Sequence, residues 1–354
     1  MEINLADTIR KLDPESEHED LVSWSEPDCG YRGIIAIHST ALGPAVGGTR
    51  FWNYSSEELA SMDALLLSRA MSYKCALAGL PFGGGKSVII GDNHTSDRAP
   101  LFEAHGRFVE SLHGRYITAE DVGTTPADME FVRRETKHVA GLPGRSGNPS
   151  PKTALGVFRA LQACAKHRWD SDSLAGRTVA IQGCGSTGYY LAQQVRQAGA
   201  KLIVSDLDPA RTRRVVDEFA AVVVAPDEIF GARADVFAPC ALGGIINDTT
   251  IPQLQVEIIV GSANNHLLDD SHGEALASRG ILYAPDYVAN SGGLYSGCRE
   301  LLGWDESQTN QRIDEIYHRM LMIIELSKRE EVPPFRTAHR LARSLIAWER
   351  VIRL

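Results

Sequence analysis

The sequence predicts a two-domain α/β protein. Three observations carry that expectation. The chain has 354 residues, enough to build two hydrophobic cores. Its later half alternates short apolar runs with helical stretches, the pattern of buried strands in a parallel sheet. Between the halves, residues 142–152 (LPGRSGNPSPK) are rich in proline, glycine and small polar residues, a linker composition that places the boundary there.

In the first half, residues 33–38 (GIIAIH) read as a buried strand. Gly47 and Gly48 follow and could present backbone N–H groups to an anion, although a simple turn fits equally well. Residues 57–73 are helical by period, with Ser55 or Ser56 as cap, so Lys74 is expected at or near the helix C-terminus. Next comes KCALAGLPFGGGK, Lys74 to Lys86. It reads as a glycine-rich loop between two cations, suited to a small anionic substrate, with Lys86 where the loop meets a second buried strand (SVIIGD). A solvated lysine beside an ordinary turn fits the same thirteen residues. Residues 100–113 form an amphipathic helix. In GRYITAEDVGTTPADM, YIT is a short strand with Glu120 and Asp121 at its end, and Pro126 opens a helix. Asp128 is the natural capping residue there, which leaves Asp121 available to move protons.

The second half opens with a helix over 153–167, which includes Thr153. Then TVAIQ reads as a strand, Gly183-Cys184-Gly185-Ser186-Thr187-Gly188 as a turn, YYLAQQVRQAG as a helix and KLIVSD as a strand closing on Asp206. A glycine fingerprint set between strand and helix, with an acidic residue at the end of the next strand, is a dinucleotide site. Asp206 would bind the adenosine ribose and repel a 2′-phosphate, which predicts NAD. Arg211, Arg213 and Arg214 nearby suit the opposite preference. AVVVA, DVFAPCA, EIIVGSA and ILYAPD read as fully buried strands, with Cys240-Ala241, Asn264-Asn265 and Asp286 at their carboxyl ends. Asn264 and Asn265 either reach the nicotinamide and substrate or cap a helix. Residues 287–297 read as a glycine-rich hinge or pocket wall, and the tail from about 309 as helical.

Composition excludes other classes. The net charge of −9 disfavours nucleic acid and anionic membranes as partners. Six scattered cysteines without a C-x-x-C pair predict neither a metal site nor a disulfide framework, and suit the cytoplasm. The acidic, charge-broken N-terminal stretch is not expected to act as a signal peptide, and no apolar run is long enough to span a bilayer.

Taken together, GPAVGGTR, SYKCALAGLPFGGGKSVIIGD, GRYITAEDVGTTPADM, SGNPSPKTALGVF, DVFAPCALGGIIND, GSANNHL and ILYAPDYVANSGG resemble the glutamate/leucine/phenylalanine/valine dehydrogenases, nearest the leucine and phenylalanine members, from about residue 33 to 330. The resemblance implies two domains separated by a cleft: a substrate-binding and oligomerisation domain over 1–145, and a Rossmann-type domain over 146–324. The helices of about 325–354 would pack back on the first. It implies a homo-oligomer that converts an apolar L-amino acid, NAD and water reversibly into a 2-oxo acid, ammonia and NADH.

By the same resemblance, Lys74 would bind the α-carboxylate with the backbone at Gly47-Gly48, and Lys86 would be the base that activates water. Asp121 would handle protons at the amino group, and Asn264 would contact substrate and cofactor. Thr153, Ala241, Leu242, Ser262 and Ala263 would line the nicotinamide site. Glutamate members carry a lysine where this chain has Val46, and an apolar wall cannot hold a second carboxylate. The rest of that wall would be Met71, Ala119, Leu294 and Gly297. Gly297 departs from the larger apolar residue of similar leucine and phenylalanine enzymes, which keeps aromatic substrates open beside branched-chain ones. A non-enzymatic nucleotide-binding homologue would be expected to lack a catalytic group, and none of these is missing.

Overall fold

A computed structural model describes residues 18–142 and 148–352. Residues 143–147, in the expected linker, and 1–17, which hold most of the acidic N-terminal stretch, lie outside them. The described residues divide into two compact units, 18–142 with 341–352, and 148–340.

The first unit is built on strands β1 (Asp20–Glu26), β2 (Tyr31–Ser39), β3 (Ala45–Trp52), β4 (Gly83–Ile90) and β5 (Tyr116–Glu120), in the order β1-β2-β4-β3-β5. β2 runs antiparallel to β1 and β4, and β3 runs parallel to β4 and β5. Its helices are α1 (Glu57–Ala78), α2 (Ala99–Glu110) and α3 (Pro126–Glu135). Side chains alternate across a strand, and here both faces are covered. Ile34 and Ala36 of β2 pack with Val88 and Ile90 of β4 against Ala60, Ala64 and Leu65 of α1. Ile35, Ile37 and Ile89 pack with Phe102 and Phe108 of α2 and Met129 and Val132 of α3. Double coverage is why these strands read as continuous apolar runs rather than as alternating ones.

Caps set the helix limits. The Ser56 side chain accepts from Leu59 N–H, and Gly79 ends α1 in the left-handed region at φ 65°. Thr125 and Asp128 form a reciprocal capping box on α3, so Asp128 is the capping residue, as its position suggested.

Two expectations need correction. Gly83, Gly84 and Gly85 are not a loop: they are the first three residues of β4, all buried, and Lys86 sits within the strand. Gly47 and Gly48 likewise lie inside β3. Their small size admits protein neighbours. A Cβ on Gly84 would lie 2.0 Å from the Ser72 backbone nitrogen of α1, and one on Gly47 would lie 1.8 Å from the Gly85 carbonyl oxygen. Glycine content alone resembles a turn. What it encodes here is a helix and a strand seated almost backbone to backbone.

The second unit carries β6 (Thr178–Gln182), β7 (Lys201–Ser205), β8 (Val222–Val223), β9 (Val236–Pro239), β10 (Ile258–Ile259) and β11 (Leu282–Tyr283), all paired in parallel, in the order β11-β10-β9-β6-β7-β8. Starting from the far edge, this is the 3-2-1-4-5-6 order of a doubly wound dinucleotide fold. The helices are α4 (Ser150–Trp169), α5 (Ser186–Gln197), α6 (Pro209–Phe219), α7 (Asp270–Ser278), α8 (Asp286–Ala289), α9 (Gly292–Leu302) and α10 (Glu306–Glu330); α11 (Pro334–Ile352) begins in this unit and ends in the first. The strand read from AVVVA is a two-residue edge whose Val222 and Val223 are exposed, not a buried strand; a short edge limits unwanted pairing. Residues 287–297, read as a hinge or pocket wall, fall largely in α8 and α9, and Gly292 lets α9 approach Lys152 of α4, where a Cβ would lie 2.0 Å from its carbonyl oxygen.

Replacing Gly84 by alanine is expected to lower stability by about 1–3 kcal/mol through overpacking against α1, read as a lower urea midpoint with unchanged slope.

Candidate active site

In the first unit, Val88 and Ile90 turn toward α1, so Lys86 at the same parity faces that side too. Register extends the face. Val46 of β3 lies opposite Gly84 and Ile117, and Gly48 lies opposite Ala119. Lys86, Val46, Gly48, Ala119 and, just past β5, Asp121 therefore share one side of the sheet. The Lys86 side chain is only 7% exposed, and its ammonium pairs with Asp121 Oδ2. Burial works against the ionised form of Asp121. The Lys86 charge and hydrogen bond, together with Arg50, outweigh it and hold the carboxyl below the usual carboxylate range. The turn that presents Asp121 is pinned by Thr124, whose Oγ1 accepts from Asp121 N–H at 2.8 Å and lies 3.1 Å from the Thr49 carbonyl oxygen.

Lys74 falls one turn before the end of α1, three residues beyond Met71, so the two share a helix face. The ladder between β3 and β4 is interrupted at Gly47 and Gly48, with register resuming at Thr49. Opposite them the Tyr116 hydroxyl donates to the Gly47 carbonyl oxygen at 2.6 Å. Behind this face lies a buried polar network in which His105 bridges the Tyr31 hydroxyl and Thr49 Oγ1, each at 2.8 Å. Burial pushes His105 down to about 3 and His38 likewise to about 3, so both stay neutral at physiological pH and serve as structural hydrogen-bonding groups. Burial also raises the thiols of Cys75, Cys164 and Cys184 to about 12, which removes them as nucleophiles.

In the second unit, the glycine turn lies at the switch point between β6 and β9. Gly183 adopts φ 96°, and a Cβ there would lie 2.8 Å from Ala241. Gly188 is pressed against the Gly183 carbonyl, where a Cβ would lie at 1.9 Å. Gly185, by contrast, faces space, with only Arg211 Nη1 at 3.7 Å from its would-be Cβ. Ser186 and Thr187 open α5, whose first N–H groups lack intrahelical partners and suit a phosphate. Asp206 follows β7 and accepts from Cys184 N–H at 2.7 Å and Asp208 N–H at 2.9 Å, one bond per oxygen. Each oxygen keeps a lone pair for a sugar hydroxyl. An open glycine, a helix N-terminus and a fixed carboxylate in this order fit a dinucleotide.

Around the strand ends, Asn290 Nδ2 donates to the carbonyl oxygens of Ser262 and Ala263 at 3.2 and 3.3 Å and to Asn264 Oδ1 at 2.9 Å. Asn265 is held at φ 53° and donates its N–H to Asp286 Oδ2 at 2.7 Å. Neither asparagine caps a helix; α7 is capped by Asp269. Ala241 and Leu242 are exposed, and Leu242 strongly so at 71%. Thr153 lies in α4 with its hydroxyl on the Pro149 carbonyl. Leu294 and Gly297 are one turn apart on α9, and a Cβ on Gly297 would meet nothing within 4 Å.

Sequence reasoning passed over Arg50, Asp63 and Asn290. Arg50 Nη1 binds both Asp63 oxygens at 3.1 and 2.8 Å. Only the unbroken GGTR and VANSGG runs hinted that Arg50 and Asn290 had a task.

Comparison with known proteins matches residues 18–138 to a family model described as the dimerisation domain of Glu/Leu/Phe/Val dehydrogenases. Residues 144–210 and 206–352 match one for glutamate/leucine/phenylalanine/valine dehydrogenase. The chain is 48% identical to a leucine dehydrogenase of Geobacillus stearothermophilus, over 93% of this chain and 91% of that protein. It is 43% identical to a phenylalanine dehydrogenase of Lysinibacillus sphaericus, over 96% and 91%. The solved structure of L-tryptophan dehydrogenase from Nostoc punctiforme superposes with TM-score 0.85 at 43% identity, covering 98% of this chain and 99% of that one.

Because the folded Asp121 carboxyl titrates below its unfolded value, its stabilisation is complete above the unfolded pKa of about 3.9 and is lost as pH falls through the folded one. Asp121→Asn is therefore expected to lower unfolding free energy by about 1–3 kcal/mol at neutral pH. That gap should shrink below about pH 4 in urea titrations repeated across pH.

Proposed function

The chain belongs to the glutamate/leucine/phenylalanine/valine dehydrogenase family, and from that premise we propose that it oxidatively deaminates an apolar L-amino acid, branched-chain and leucine-type first, using NAD. The carrying observation is the Lys86–Asp121 pair set beside the buried Val46 on one sheet face. That combination supplies a proton-handling pair next to a wall that offers no partner for a side-chain carboxylate.

Lys74 is the residue we assign to the substrate α-carboxylate, as a point charge, with Gly47 and Gly48 lending backbone. Lys86, once in its neutral amine form, takes the proton from the water that attacks the imine, and Asp121 exchanges protons with the amino group. Asn264, its side-chain oxygen already engaged by Asn290, turns its NH₂ toward substrate and cofactor as a donor. Thr153, Ala241, Leu242, Ser262 and Ala263 line the nicotinamide, and the turn from Gly183 through Cys184, Gly185, Ser186 and Thr187 to Gly188 holds the pyrophosphate. When bound, the nicotinamide supplies the hydride acceptor. The family's chemistry is nicotinamide-dependent. The preference for NAD rests on the anchored Asp206, while Arg214 is already engaged with the Tyr189 ring and Glu218.

Among the described residues no helix is long and apolar enough to cross a membrane, and we place the enzyme in the cytoplasm. The match of its first unit to a dimerisation domain supports a homo-oligomer.

Gly297 favours a second reading. A Cβ there would meet nothing within 4 Å, and the room this leaves suits phenylalanine or tryptophan; among the relatives is a tryptophan dehydrogenase.

NADH formation with leucine, valine, isoleucine, phenylalanine, tryptophan and glutamate decides between the readings. Branched-chain turnover well above the rest is the expected result, aromatic preference would establish the second reading, and turnover of glutamate alone would overturn both. Lys86→Ala is expected to lower kcat by about 10²–10⁴-fold in a protein with unchanged circular dichroism. Gly297→Leu should depress kcat/KM for tryptophan at least about tenfold relative to leucine, since pocket-filling differences amount to about 1–3 kcal/mol.

A further inference from the structure

Arg50 has a donor with nothing to bind. Its Nη1 holds both oxygens of Asp63, and the Tyr54 hydroxyl donates to Asp63 Oδ2 at 2.5 Å. Its Nε is buried and makes no hydrogen bond among the described residues. The nearest carboxylate oxygen across from it is Asp121 Oδ2, at 3.7 Å, the same oxygen that Lys86 contacts. An ammonium and a guanidinium thus converge on one carboxylate oxygen, and one of them stands just beyond hydrogen-bond reach.

A buried N–H left unpaired costs free energy, and that cost is removed by a small movement of Asp121. We propose that Arg50 is the positioning residue for Asp121: its Nε–H donates to Oδ2 when Lys86 turns to the substrate, and Asp63 and Tyr54 hold the guanidinium ready for it. The inference rests on the reading of Asp121 as the group that exchanges protons with the substrate.

Physical chemistry requires some such device. When Lys86 engages the reacting water, Asp121 loses a hydrogen-bonded cation. Without a replacement the carboxylate would be stranded beside Glu120 in a partly buried site, and would take up a proton or swing away. Arg50 supplies a charge that never leaves, because guanidinium stays protonated at any working pH. Its planar fork lets Nη1 keep Asp63 while Nε serves Asp121. The ionisable groups that interact with Asp121 are Lys86 from β4 and Arg50 from β3, which contact it, and Glu120 beside it and Tyr116 of β5, which act on it only through their charge. Those facing Arg50 are Asp121, Asp63 of α1 and Tyr54. Positive charges stand next to negative ones along the whole line Lys86–Asp121–Arg50–Asp63, which ends on the Tyr54 hydroxyl.

The test measures kcat and KM for the amino acid across pH in Arg50→Gln, Arg50→Lys, Asp63→Asn and Asp121→Asn, with circular dichroism and thermal melts of each. Arg50→Gln is expected to lower kcat at least about tenfold while KM changes less than about threefold, because Arg50 does not touch the substrate. The acid limb of kcat should move to higher pH by about one unit as Asp121 loses a neighbouring cation. Arg50→Lys, which keeps the charge but loses the fork, should restore the acid limb more than it restores kcat. Asp63→Asn, which leaves Arg50 in place but untethered, should fall between wild type and Arg50→Gln, and carries the test if Arg50→Gln does not fold. Wild-type kcat and pH profile in folded Arg50→Gln and Asp63→Asn, with Asp121→Asn inactive, would overturn the role of Arg50 alone. Wild-type turnover in Asp121→Asn would overturn both this inference and the reading beneath it.

Discussion

An ammonium group buried in a β-sheet must have a carboxylate within reach, or it will lose its proton or keep the strand from forming. Much of the first unit follows from meeting that condition at Lys86. The carboxylate is Asp121, so β5 must end at the right place beside β3, and Thr124 must hold the turn that follows. For β4 to carry Lys86 at all, it must fit tightly under α1 and against β3, and its three leading glycines are what allow this. Polar groups needed behind the sheet are paired there among themselves through Thr49, His105, Tyr31 and Tyr116. The face that carries Lys86 and Asp121 and the structural network thus use opposite sides of the same strands.

The second unit solves a different problem, which is to present backbone rather than side chains. Three glycines of one turn play three separate parts. Gly183 takes a backbone angle that other residues resist, Gly188 packs against Gly183, and Gly185 alone leaves room outward. Asp206, anchored by two backbone N–H groups, then fixes the sign of charge that the far end of a ligand meets. The asparagine cluster around Asn264 works similarly, since Asn290 decides which end of the Asn264 amide is free.

Strong local signals made most of the architecture legible. Thr178–Gln182 and Lys201–Ser205 emerge where alternation of strand, glycine turn and helix placed them, because a parallel sheet covered on both faces leaves continuous apolar runs in the chain. The glycine stretch at 83–85 misled for a physical reason. Glycine signals close approach without saying what approaches, and here it is the Ser39 backbone at Gly83, α1 at Gly84 and the Tyr116 ring at Gly85. The same ambiguity hid the helical nature of residues 287–297. Arg50 and Asp63 were invisible for another reason: they lie 13 residues apart with a strand end and a helix start between them, and nothing local says that they meet. Family resemblance pointed to Lys74, Lys86 and Asp121, but only coordinates show that Lys86 and Asp121 touch.

The first unit is discontinuous: residues 341–352 belong to it although the 148–340 unit intervenes in sequence, and Arg350 lies 3.9 Å from Glu19 at its edge. A ribosome delivers these pieces in order. The second unit is contiguous and can close once its own residues have emerged, whereas the first waits for the last stretch of chain before its ends meet. All five strands of the sheet that carries Lys86 lie within residues 20–120, so a nascent chain would pass through a stage with both sheets formed and the segment 341–352 still to join the first unit.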